Sequence, residues 1–147
     1  SRPVYIEAES AKIGRLNVPN PLWQKMKASP VIEIHSPLQS RADHLLDEYR
    51  EWLGDLPRIE RTIDRLKGFH SKERLIQWKE LAQQSRWKEL IEALLDEHYD
   101  RRYRPNQEST HFERPFERAD LLEHDAGSLQ TCTETIVKLT RNHVDLP

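Results

Sequence analysis

Side chains able to do chemistry gather at two places in this chain. The first lies in "VYIEAESAKIGRL" (4–16), where Glu7 and Glu9 are two residues apart. In an extended segment that spacing puts both carboxylates on one face, with Ala8 on the other. At the carboxyl end of a parallel strand, where open α/β sheets bind ligands, such a pair can hold a hydrated magnesium ion or act as a base. The same spacing also describes strand-end charges that are merely solvated. Ser10, Lys12 and Arg15, the last following the flexible Gly14, are of the types that hold a phosphate, although basic residues on a surface are common. The second place is "HYDRRYR" (98–104), with His98, Tyr99, Arg101, Arg102, Tyr103 and Arg104 around Asp100. Aromatic rings beside arginines suit nucleic-acid contact, through base stacking and phosphate pairing. A cationic helix end is the plainer reading, since the macrodipole favours it.

Other chemistry is narrowed by what is missing. The seven histidines and one cysteine form no H-E-x-x-H or comparable ligand pair, so no metal site is assigned. Cys132 sits in a threonine-rich stretch with no histidine near it in sequence and reads as a buried or half-buried thiol. A single cysteine allows no internal disulfide, which fits a reducing, cytoplasmic setting. The net charge of −2 gives no overall attraction to nucleic acid, so any such binding falls to a local patch. One such excess is at residues 58–74, with six Lys/Arg against three Asp/Glu, a stripe that usually means a solvated helix face. Trp52, Trp78 and Trp87 read as core or rim residues. No apolar run approaches the roughly 18 residues of a membrane span.

The elements that must position these groups follow from periodicity. "VYIEAE" (4–9) and "PVIEIH" (30–35) read as strands, with a short helix between them at "NPLWQKMKAS", capped by Asn20 and started by Pro21. Strand, helix, strand is the pattern of a parallel crossover unit. From Pro37 the period becomes helical. Four helices are expected: one after Ser36, one over "LPRIERTIDRLKGFH", one starting at Ser71, and one over "RWKELIEALLDEHYDRRY". A short strand is expected around Ala119 to Glu123 and a terminal helix over "SLQTCTETIVKLTRN". The fold class is therefore α/β and predominantly helical: a partial parallel sheet of two or three strands, a four-helix array and a C-terminal helix. The expected divisions are 1–36 for the strand-helix-strand portion, 37–104 for the array, and 105–147 for a loop, strand and helix returning to the sheet. So small a parallel sheet is expected to belong to a larger fold, or to dimerise through its exposed edge.

Three segments together resemble the carboxyl-terminal half of bacterial tRNA 2-selenouridine synthase. These are "VYIEAESAKIGRLNVP", similar to that family's E-x-E-S-x-x-I-G stretch, "LKGFHSKERLIQWKEL", and "WKELIEALLDEHYDRRY", similar to its leucine-rich helix ending in His-Tyr-Asp. The likeness spans about residues 2 to 108. It implies a longer parent with a rhodanese-like domain and a P-loop-type sheet, whose further strands and domains lie towards the amino terminus. It also implies tRNA as partner, and conversion of wobble 2-thiouridine to 2-selenouridine through an S-geranyl intermediate, with geranyl diphosphate and selenophosphate as substrates. On that resemblance Glu7, Glu9, Ser10, Gly14 and Arg15 would border the diphosphate, and His98, Tyr99, Asp100 and Tyr103 would match the second motif. This chain carries no G-x-x-x-x-G-K-[ST], and Cys132 does not match the rhodanese cysteine, so the 147 residues alone are expected to be catalytically silent. Two rival readings are a non-catalytic helical interaction module and a truncated kinase-like phosphotransferase using Glu7 or Glu9 as base.

Overall fold

The computed structural model describes residues 3–7, 11–102 and 117–144, with the backbone alone for 142–144. The chain divides into two compact units, one of residues 1–35 with 107–147 and the other of residues 36–106.

In the first unit the chain makes a small antiparallel hairpin of β1 (Lys12–Ile13) and β2 (Leu16–Asn17). Gly14 holds φ +60 at its turn, in the left-handed region that a side chain resists. α1 (Asn20–Lys27) follows, then β3 (Ile32–His35). Pro19, rather than Asn20, precedes the first turn, and Asn20 instead accepts a hydrogen bond from Gln24 at 3.1 Å. β3 pairs in parallel with β4 (Glu117–Asp120), with Ile34 opposite Ala119. A parallel pair needs a long crossover, and here the helical unit lies within it. α6 (Ala126–Val144) completes the unit, with Asp125 accepting from the Ser128 amide at 2.7 Å. Its Cys132 is buried with Ala119 and Leu121, flanked by Ile32 and Ile136.

One expectation is corrected here. Pro3–Glu7 form no strand, and 8–10 lie outside the described residues. Val4, Tyr5 and Ile6 are 81%, 56% and 54% exposed, and Tyr5 Oη donates to Thr140 Oγ1 at 3.0 Å. A β-branched, aromatic run becomes a strand only beside a neighbour that takes up its amides and carbonyls. None of the described strands lies beside this one. Among the described residues the parallel sheet has two strands, one fewer than the upper expectation, and β4 begins two residues earlier than expected.

The second unit is the helical array. It comprises α2 (Leu38–Glu48), a 3-10 turn at Arg50–Trp52, α3 (Leu56–Asp64), a second 3-10 turn at Arg65–Gly68, α4 (Lys72–Gln83) and α5 (Trp87–Leu94). Asp55 caps α3 by accepting from the Arg58 amide at 3.0 Å, and Ser71 caps α4 through the Arg74 amide at 3.2 Å. α2, by contrast, starts after Pro37 with no side-chain cap, not with Ser36. Trp78 is fully buried at the centre of a core with Ile63, Leu75, Ala82 and Leu90, while Trp87 packs at its margin. α4 ends with Ser85 at φ 56. The Ser85 amide donates to Ala82 O and the Arg86 amide to Leu81 O, the paired bonds of a left-handed helix stop. The predominantly helical α/β class read from the sequence is what the structure has. Among the described residues no helix is long and apolar enough to cross a membrane.

Candidate functional site

The array sets its chemistry where α5 widens into a π-turn, Leu95–Asp100. Such turns are infrequent and often found at functional sites. This one carries Glu97, His98, Tyr99 and Asp100, and each of the first two is tied to the loop and helix before it. His98 Nδ1 lies 2.9 Å from His70 Nε2, a distance at which one ring donates and the other accepts. Glu97 forms a close ion pair with Arg74, whose Nη1 also donates to Gln77 Oε1 at 2.6 Å. Asp100 takes both terminal nitrogens of Arg41 from α2 at 2.8 Å each, a bidentate fork.

Rings enclose the histidine pair. Trp78 meets His70 edge-on at 4.6 Å, Phe69 meets His98 at 5.6 Å, and Tyr99 meets His98 at 5.3 Å. Phe69 and Tyr99 are 59% and 50% exposed, so the site presents two rings outward while Trp78 backs it from the core. Arg102 lies over Phe69, its guanidinium carbon 4.4 Å from the ring centre. Among the described residues two buried side-chain polar atoms lack a partner, Trp78 Nε1 and Arg41 Nε. Both belong to residues of this site.

Burial lowers the pKa of both histidines, and positive neighbours add to it: Arg101 and Arg74 act on His70, and His70 and Arg102 act on His98. The pair therefore favours the neutral state with one shared proton between the facing nitrogens. A second charge would set two N–H groups against each other. The arrangement can hold and hand over a proton, and it can stack a planar base against Phe69 or Tyr99 with Arg101 and Arg102 near a phosphate.

The sequence candidates divide in the structure. His98, Tyr99, Arg101 and Arg102 are brought to one place, whereas Tyr103 and Arg104 lie outside the described residues. Glu7 is exposed on the non-strand segment, and Glu9 and Ser10 lie outside the described residues. Lys12, Gly14 and Arg15 share the β1–β2 hairpin, all exposed. A Cβ placed on Gly14 would meet nothing within 4 Å, so its need is conformational and not a close approach. Sequence reasoning missed Phe69, His70, Arg74 and Arg41 as members of the site. The "GFH" after α3 falls within one of the resembling segments, but the pairing of His70 with His98 is tertiary. Among the described residues no group of three His, Cys, Asp or Glu side chains is placed to hold a metal ion.

Comparison with known proteins narrows the class. The first 69 residues, running from the opening segment through α3 and its following 3-10 turn, match an AAA-domain family. The description of that family is tRNA 2-selenouridine synthase AAA domain, so the resemblance read from the sequence is borne out over residues 1–69. No curated protein matches the chain. No solved structure matches it either.

Proposed function

We propose that this chain is the C-terminal part of a cytoplasmic tRNA 2-selenouridine synthase and that it presents tRNA to the parent's reacting centre. The observation that carries this reading is the match of residues 1–69 to that enzyme's AAA domain. The π-turn site supports it from the other unit, since exposed rings beside arginines are the means by which proteins take hold of unpaired bases. In the parent, wobble 2-thiouridine is geranylated on sulfur from geranyl diphosphate, and the S-geranyl group is then replaced by selenium from selenophosphate. Lys12 and Arg15 on the hairpin, with Ser10 and Gly14, are the proposed diphosphate contacts. Glu7 and Glu9 are the proposed base or magnesium ligands. The parent's rhodanese-like and P-loop portions supply what these 147 residues lack.

The test is nucleoside mass spectrometry on tRNA incubated with the full-length protein, geranyl diphosphate and selenophosphate. Withholding selenophosphate should accumulate S-geranyl-2-thiouridine, and adding it should yield 2-selenouridine. Absence of both products from an active preparation refutes the reading. Arg15→Ala should lower the geranylated product, and an unchanged yield removes Arg15 from the site. ATP-dependent phosphorylation of a small molecule would instead favour the kinase-like alternative, and a protein partner without tRNA binding would favour the interaction module.

A further inference from the structure

The two faces of α3 are sorted by charge. Leu56, Ile59 and Ile63 turn to the Trp78 core, and both acids of the helix are engaged with α4. Glu60 Oε1 accepts from Gln83 at 2.7 Å, and Asp64 pairs with Lys79 at 2.6 Å. Arg58 and Arg61 of α3 and Arg65, the first residue of the 3-10 turn that continues it, fall within an arc of about 60° on the remaining face and span roughly 10 Å along the axis. All three are exposed, and none forms an ion pair among the described residues. The helix dipole explains cations at the last turn, but not Arg58, which sits in the first turn where positive charge is opposed. Arg58 has another tie: its guanidinium carbon lies 3.7 Å from the ring centre of Trp52. Trp52 is 46% exposed, with Tyr49 tilted against it at 5.1 Å. Stacking fixes the plane of the guanidinium while leaving its charge and its donors unspent.

We propose that this outer face of α3, with Trp52 at its head, is a second RNA-binding surface, on which Arg58, Arg61 and Arg65 take consecutive phosphates and the Trp52–Arg58 stack takes an unpaired base. It rests on the tRNA reading above and concerns a separate set of residues. Cations in a row with no ion pair among the described residues answer to a phosphodiester backbone, and an aromatic plate carrying an arginine answers to a base. An acidic protein segment would use the cations and leave the plate without a purpose.

Anisotropy of fluorescently labelled tRNA, titrated with the 147-residue chain over a series of salt concentrations, tests this. Arg58→Ala/Arg61→Ala/Arg65→Ala should weaken binding at least about tenfold and reduce the log–log salt slope by about 2. Trp52→Leu should weaken it by about fivefold or more with little change of slope. Lys25→Ala/Lys138→Ala, a charge loss elsewhere, should leave binding nearly unchanged, and matched thermal melts verify that each variant folds. If the chain binds tRNA and the triple variant binds as well with the same slope, the surface is refuted while the tRNA reading stands. If polyglutamate at equal charge displaces tRNA from the chain, the surface belongs to an acidic protein and the proposal fails. If the folded chain binds no tRNA at low salt, the tRNA reading fails and takes this surface with it.

Discussion

The helical unit and the sheet-bearing unit solve the burial problem differently. In the first, Ile63, Leu75, Trp78, Ala82 and Leu90 are supplied by three successive helices, so the core closes from contacts near in sequence. In the second, the buried cluster among the described residues is Ala119, Leu121 and Cys132, and Ile32, far earlier in the chain, packs against it half-buried. There Val4, Ile13, Leu16 and Ile34 remain more than half exposed. A parallel pair with polar residues on one side and an exposed isoleucine on the other leaves apolar surface that a larger sheet would cover. The comparison teaches that the array is organised by its own residues, while the sheet-bearing unit holds many apolar groups that its described neighbours do not bury.

That contrast sets the order of expected effects. Trp78→Ala removes the centre of the helical core and should cost about 3–5 kcal/mol by denaturant unfolding followed on α4 and α5. A loss under about 1 kcal/mol would show that the core is not closed by this residue. Asp100→Ala takes both partner oxygens from the Arg41 fork and should cost about 2 kcal/mol in the same unit. Cys132→Ser puts a hydroxyl into the small cluster of the other unit and should cost about 1–2 kcal/mol, read by hydrogen exchange along α6.

A smaller, pH-linked effect follows from the histidine pair. Both folded-state pKa values lie below the ordinary 6.5, so the unfolded chain takes up these protons first. Stability from the pair is complete above about pH 6.5 and declines as pH falls below it. Denaturant midpoints between pH 8 and 5 should therefore fall, and the fall should shrink in His98→Asn. The smallest effect has the opposite sign. Ser85→Gly relieves a side chain at φ 56 and should stabilise the array by about 0.5–1 kcal/mol in a thermal melt.

Legibility in sequence tracked the same contrast. The helices of the array were readable because apolar residues at three- and four-residue spacing demand one inward face, and Ser71 announced the start of α4. Val4–Glu7 has strand propensity without a strand, because propensity says nothing about whether a neighbour exists. The candidate site was half visible: His98, Tyr99, Arg101 and Arg102 form one run, but the approach of His70 depends on how α4 packs on α5. The π-turn left no periodic signal, being a local widening that the packing around Glu97 and Asp100 maintains. Trp52 and Trp78 both read as core or rim residues, and the exposure of Trp52 beneath Arg58 sets the two apart.

The proposal that the π-turn site takes hold of tRNA is tested most directly by NMR of the His70 and His98 imidazole nitrogens. Titrating tRNA into the chain at fixed salt should shift the ring signals of His70 and His98 and raise their pKa values, because a nearby phosphate favours the charged form. Rings that titrate identically with and without saturating tRNA would contradict the assignment.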